Sequence, residues 1–269
     1  AWKILHSPSS LNEYIYSKCK PFDVSKYFSV NVNSPFHWGN KYEDVSVALY
    51  ETLNDVSVTD FGCIKHKKYD FLGASPDGIV TSEKHRGRML EIKNIVNREI
   101  TGIPKKEYWI QMQLQMEVCD LNDCDFLECR FKEYDDEEAF NKDGTFSLTK
   151  EGKHKGIMLH FFDGDQPIYK YAPFGCSEAV YDEWQQKMMA ENKSWIKTIY
   201  WYLEEFSCIH IKRNKIWFDS VVPVLEETWG IIEHEKKNGY LHRKPKSNKR
   251  TKKEPEITLF SLDTIKNIL

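Results

Sequence analysis

Apolar positions along the chain fall into blocks whose period changes from helical to extended and back. From Gly39 to about Leu53, Tyr42, Val45, Leu49 and Leu53 recur at helical spacing, which predicts an amphipathic helix. Short strand-like runs follow at 57–65, 69–72, 77–81 and 88–94, separated by Gly, Pro, Asp and Ser. Residues 107–118, EYWIQMQLQMEV, have helical length, few β-breakers and the helix formers Leu, Met and Gln, which favour a helix. Strands are predicted at 125–133, 156–163 and 167–171, the last two joined at Asp163-Gly164-Asp165. A helix over about 176–192, a strand near 205–212 and a helix over about 214–237 complete the body. Residues 11–28 read as short helical pieces broken at Pro21. Helices thus alternate with groups of strands, which predicts an α/β (α+β) class with one mixed central β-sheet flanked by helices.

The expected organisation is a single domain over 1–235, a basic flexible segment over 236–256 and an apolar segment over 257–269. Residues 236–253 carry nine Lys or Arg and no acid, and Lys244, Lys246, Lys249 and Arg250 within them are candidate DNA contacts. Residues 133–138, EYDDEE, hold five acids and read most simply as a solvated turn.

Composition narrows the class. Of 269 residues, 41% are hydrophobic and 14% aromatic, so the chain can build a sizeable core and is not wholly disordered. No run approaches the roughly 20 apolar residues of a membrane span. The net charge of −3 gives no sign by itself of a nucleic-acid partner. Seven scattered cysteines match no zinc or iron–sulfur spacing, Cys119, Cys124 and Cys129 included, and suggest an intracellular, reducing compartment. The N-terminus, AWKILHSPSS, has neither an initiator Met nor a signal peptide, as in a fragment or a processed chain. No Ser-His-Asp arrangement and no phosphate-binding glycine loop stands out.

The most informative region runs from Trp38 to Glu117. Asp77 lies in LGASPDGIV at a tight bend before a strand. In the strand MLEIKN, Glu91 and Lys93 are two apart and share a face, with Leu90 and Ile92 on the other. Asp77 and Glu91 offer the hard oxygens that Mg²⁺ or Mn²⁺ requires, and the Ile92 carbonyl adds another. Lys93 beside them could orient or help deprotonate a water and offset phosphate charge. Singly, an Asp in a turn or a Glu and a Lys on an exposed strand face is ordinary; the combination at hairpin separation raises the chemical reading to even odds. Glu43, in the first turn of its helix, has an ordinary explanation in the helix dipole. Gln111 and Gln115 share a face of the 107–118 helix, and Gln113 points elsewhere. His37 and the tryptophans Trp184, Trp195, Trp201, Trp217 and Trp229 read as packing residues.

The ordered set WGNKYE, LGASPDGIV, LEIKN and YWIQMQ resembles the PD-(D/E)XK nucleases, and within them the YqaJ-type, lambda-exonuclease-like viral recombinases. The resemblance is firm over about 36–118, weaker over 125–235 and silent beyond. It implies a restriction-endonuclease-like core with Asp77 and Glu91 as metal ligands and Lys93 as the catalytic lysine. Glu43 would reach the metal through water, and Gln111, with Tyr108 beside it, would position the site. The implied activity is Mg²⁺- or Mn²⁺-dependent hydrolysis of DNA, often 5′→3′ from duplex ends, beside a single-strand annealing protein. Viral recombination, replication or repair would be the setting, in the host cytoplasm or nucleus, with a homo-oligomer left open. Family members usually carry an upstream Arg-containing T-A-S-type segment; the chain opens past it, and Ser7, Ser9 and Ser10 do not replace it. The alternatives are a structure-specific endonuclease or junction resolvase on the same core, an inactive DNA-binding module, and a carboxylate-metal hydrolase of small molecules.

Overall fold

The structure, a computed structural model, describes residues 2–21, 23, 31–164, 166–192 and 194–245. Helices α1 (Trp2–His6) and α2 (Pro8–Cys19) precede the long α3 (Pro35–Asn54). Ser34 caps α3 by accepting the His37 N–H, and Pro35 sits at its first turn, where a missing N–H costs nothing. Five short strands follow: β1 (Val58–Thr59), β2 (Ile64–Lys65), β3 (Gly73–Ala74), β4 (Gly78–Val80) and β5 (Met89–Asn94). Next come α4 (Lys106–Cys119), β6 (Asp123–Glu133), α5 (Glu137–Lys142), β7 (Lys155–Asp163) and β8 (Gln166–Tyr171). Helix α6 (Glu178–Glu191), strand β9 (Trp195–Lys212), helix α7 (Lys215–Asn238) and a 3-10 turn at Leu241–Arg243 complete the order.

Seven strands form one sheet in the order β1-β4-β5-β6-β9-β7-β8, and β2 with β3 forms a separate ribbon. Strands β5 and β6 are parallel, and the other neighbours in the sheet are antiparallel. A parallel pair cannot be joined by a tight turn, and α4 supplies the crossover between them. The expected mixed sheet flanked by helices is what the chain builds.

Alternation along β5 and β6 divides the core. Leu90, Ile92, Leu127, Cys129 and Phe131 pack with Tyr42, Val45 and Leu49 of α3 on one face. Met89, Cys124 and Phe126 pack with Met112 and Met116 of α4 on the other. The period-2 and period-3.6 patterns of these segments therefore meet as two helix-on-sheet layers.

Three sequence expectations change. The acidic run 133–138 is a solvated turn only in part: Asp135, Asp136, Glu137 and Glu138 are exposed, but Glu133 ends β6 and pairs with the buried Lys41, and Asp136 caps α5 through the Ala139 N–H at 2.8 Å. The basic segment expected from 236 starts inside α7, which runs to Asn238, and Arg243 just beyond is held by Glu235 and Asn12. Strand β9 begins ten residues before its expected start near 205, so it spans 18 residues, and Trp195 at its start is 47% exposed, not core. The Glu133–Lys41 pair and the pairing of β9 with β6 and β7 depend on partners distant in sequence, whereas the Asp136 cap is local.

Gly78, in the bend that carries Asp77, has no room for a side chain, because a Cβ there would lie 2.2 Å from Cγ1 of Val58 on β1. Gly78→Ala is expected to lower stability by roughly 1–3 kcal/mol through this overpacking. The urea midpoint measures it, and an unchanged midpoint would mean that β1 yields freely.

Candidate active site

The site is built where β4 stops short of the length of β5. Gly78 pairs with Leu90 and Ile79 with Met89, so the backbone ladder ends before Ile92. Asp77 replaces the missing ladder with its side chain: Oδ2 accepts the Ile92 N–H at 2.6 Å. A buried backbone donor thereby gains a charged acceptor, and the Asp77 carboxylate is fixed against β5.

Glu91, directly behind, is 0% exposed. A buried carboxylate is tolerated only when its oxygens are satisfied. Its Oε1 accepts from Lys93 Nζ and from Gln111 Nε2 at 2.7 Å, and its Oε2 accepts from Gln115 Nε2 at 2.8 Å. Gln115 Nε2 also donates to the Ser75 carbonyl at 3.1 Å, tying α4 to the segment that leads into Asp77. Lys93 Nζ donates as well to the Ile92 carbonyl at 3.0 Å and stands 5.4 Å from the centre of the Tyr108 ring.

Helix α3 enters from the opposite face of the sheet. Asn94 at the end of β5 donates to the Gly39 carbonyl at 2.9 Å and accepts from Ser46 Oγ at 2.7 Å, fixing α3 alongside. Glu43 then lines the same cleft as Asp77, Ile92 and Lys93, an opening of about 640 Å³ with Arg98 and Tyr108 on its rim. Gly39 also lines it, and a Cβ there would meet nothing within 4 Å, so this glycine keeps the cleft open without relieving a clash.

The electrostatics follow from crowding. Burial first, and then the Glu91 charge, push the Asp77 carboxyl up to about 7. Glu43 is also raised, by burial and by Asp44 beside it, against a lowering pull from Lys93. Burial pulls Lys93 down, but Glu91 and Asp77 together outweigh it, and the ammonium is held above its usual value. At neutral pH Lys93 is therefore a cation, suited to stabilising charge rather than to accepting a proton.

The arrangement fits a divalent cation. Asp77 spends Oδ2 on the Ile92 N–H, and no described residue hydrogen-bonds its Oδ1. Carboxylates that repel one another at this separation are relieved by a metal. Among the described residues no three His, Cys, Asp or Glu side chains converge as a ready cage. Mg²⁺ is usually held by one or two carboxylates and keeps several waters. Asp77 and Glu91, with the Ile92 carbonyl, would hold it, and Glu43 would stand behind a water.

Asp77, Glu91, Lys93, Glu43 and Gln111 are thus all brought to one place, with Gln111 facing Glu91 from α4. Gln113 points away, as the helical period predicts, and bonds the Lys212 carbonyl and the Asn214 N–H at the β9–α7 junction. Reasoning from the sequence gave no site role to Gln115, although it placed it on the face of Gln111, and passed over Asn94 and Arg98. Gln115 was legible as the partner of Gln111 one turn on; Asn94 was the next residue of the motif strand. Arg98, which bonds Glu128 and stands 5.4 Å from the Tyr108 ring, offered only the signal of being a rare arginine in a lysine-rich chain. Lys244 is exposed beside the 3-10 turn and does not line the cleft. Lys246, Lys249, Arg250 and the apolar stretch 257–269 lie outside the described residues.

Residues 5–122 match the family described as YqaJ-like viral recombinase domain. An uncharacterized protein of Acanthamoeba polyphaga mimivirus is 29% identical over 239 residues, which cover 74% of this chain and 44% of that protein. The chain thus spans less than half the length of that viral relative. Among solved structures, the alkaline exonuclease LHK-Exo from Laribacter hongkongensis aligns with a TM-score of 0.50 at 18% identity, over 90% of this chain and 89% of that one. Its complex with dAMP aligns over the same shares at 19% identity. These structures establish likeness of fold.

A pH signature follows from Asp77. Between its unfolded value near 3.8 and its folded value of about 7, the folded chain holds one proton more than the unfolded chain. Stability from this group is full below the lower value and falls as pH rises toward the upper one. The melting temperature of metal-free protein is expected to drop from pH 5 to pH 8, and to drop less in Asp77→Asn. Added Mg²⁺ or Mn²⁺ should raise it more at pH 8 than at pH 5; equal shifts at both values would argue against Asp77 as a ligand.

Proposed function

From the match of residues 5–122 to the YqaJ-like viral recombinase domain, we propose that the chain is a metal-dependent deoxyribonuclease. We take its action to be exonucleolytic, 5′→3′ on duplex ends, in viral recombination, replication or repair. The observation that carries this reading is the buried Glu91 carboxylate gripped by Lys93, Gln111 and Gln115 behind an Asp77 that is anchored on Ile92 N–H, with Asp77 and Lys93 at the wall of an open cleft. Burying a carboxylate and surrounding it with a fixed set of donors is costly for stability alone and is what a preorganised polar site requires.

Bound Mg²⁺ or Mn²⁺ would supply Lewis acidity at the phosphate and lower the pKa of a water. The chain's own residues do the rest. Gln111 and Gln115 hold the Glu91 oxygens in one orientation, so the carboxylate cannot rotate away from the cleft. Lys93, kept protonated by Glu91 and Asp77, is placed to stabilise negative charge growing on a scissile phosphate. Arg98 and Tyr108 on the rim offer a cation and an aromatic face to a strand entering the cleft. The partner would be DNA, with an annealing protein and a second copy of the chain as further candidates, in an intracellular setting. Among the described residues no helix is long and apolar enough to cross a membrane.

Lys93→Ala and Asp77→Asn are expected to lower cleavage of linear duplex in Mg²⁺ or Mn²⁺ by at least about 10²-fold, with far-ultraviolet circular dichroism unchanged. Full activity in either folded variant would sink the assignment. End-labelled linear duplex and covalently closed circles separate the readings on this core: an exonuclease spares the circle, whereas an endonuclease or junction resolvase does not.

A further inference from the structure

A second cavity of about 490 Å³ lies beside the catalytic cleft and shares Pro35, Val96 and Asn97 with it as a common wall. Strands β7 and β9 build its far side. His160 stands directly opposite Lys197, and the register slips immediately after this pair. Opposed residues of an antiparallel pair project to one face, so both side chains line the cavity.

The cavity is basic and unsatisfied. His160 is only 6% exposed, yet neither of its ring nitrogens has a hydrogen-bond partner among the described residues. Trp38 Nε1, also buried on this wall, is likewise without one. An imidazole with two orphaned nitrogens is costly to bury unless something else satisfies it. Its ring is fixed by stacking on Tyr169, with centres 4.8 Å apart, and the Tyr169 hydroxyl is in turn bonded to His37 Nε2 at 2.6 Å.

Three basic side chains, Lys41, His160 and Lys197, face one acid, Glu133. That acid is already engaged, since its Oε1 accepts from Lys41 and from the Tyr42 hydroxyl. Lys197 is exposed and makes no salt bridge to any described residue. Burial, and then the positive charge of Lys197 and Lys41, push His160 below its usual value, and burial also lowers Lys41. The first turn of α3, Ser34 and Pro35, faces the same space and turns the positive end of a 20-residue helix toward it.

We propose that this cavity is a phosphate subsite, in which Lys197, the His160 ring and Trp38 Nε1–H hold a phosphate group of nucleic acid, with the positive end of α3 facing it. The source of that phosphate rests on the nuclease reading: it is either an internal phosphate of the strand running out of the cleft or the phosphate of a mononucleotide released there. Both sources share the same recognition, a tetrahedral oxyanion against one free ammonium and two neutral N–H donors.

The test uses the full chain without divalent metal, with the histidines labelled in ¹⁵N, titrated with inorganic phosphate, dTMP and a short oligothymidylate. The His160 ring resonances are expected to move with phosphate and with at least one nucleotide ligand. Lys197→Glu, on an exposed position that the fold does not depend on, should weaken each of these affinities about tenfold or more. Preference for dTMP would assign the site to the released nucleotide, and preference for the oligomer would assign it to the strand. A His160 ring that responds to none of the three, or to inorganic phosphate alone, overturns the proposal, as does affinity unaltered by Lys197→Glu. The nuclease reading fails separately: a chain that binds phosphate here but cuts no DNA keeps the subsite and loses the activity.

Discussion

A carboxylate with no exposed surface, Glu91, governs how the centre of this molecule is put together. Removing its charge from water costs several kcal/mol unless donors replace the solvent. Two come from α4, Gln111 and Gln115, and the third is Lys93 on its own strand. The crossover helix therefore cannot slide along the sheet without orphaning a buried charge. Because Gln115 also holds the Ser75 carbonyl, the same constraint fixes the approach to Asp77. Apolar packing of Met112 and Met116 on Met89 and Phe126 gives α4 its general position, and the amides set its register.

A second, partly buried pair ties α3 to the sheet. Lys41 and Glu133 lie 92 residues apart and join the helix to the end of β6, with the Tyr42 hydroxyl on the same oxygen. Asn94 adds a third tie, to Gly39 and Ser46. The sheet is thus clamped from both faces at the level where β4 ends, and the cleft opens there because β4 is too short to cover β5. The cavity along β7 and β9 lies on the far side of the same α3 start, so one helix terminus borders both openings. The family match covers residues 5–122, and the likeness of fold covers nine-tenths of the chain.

Much of this was legible in the order of residues. The spacing of Tyr42, Val45 and Leu49, the alternation of MLEIKN and the composition of YWIQMQ each specify one element and the face it buries, because period 3.6 and period 2 are local properties of a chain. Asp77, Glu91 and Lys93 were legible together because a tight bend and one adjacent strand separate them, and so were Gln111 and Gln115, one helical turn apart. Even Gln113 could be assigned to the wrong face for catalysis. What the pattern left open was decided by tertiary contact alone. The acids of 133–138 look alike in sequence, yet Glu133 pairs with Lys41 across 92 residues while Asp135 to Glu138 stay exposed, because only Glu133 lies beside Lys41. The length of β9 depends on β6 and β7 flanking it, and the pairing of His160 with Lys197 depends on a register that no local pattern specifies. Local sequence sets periodicity and turn chemistry; long-range pairing is set by which buried polar groups find partners when the layers close.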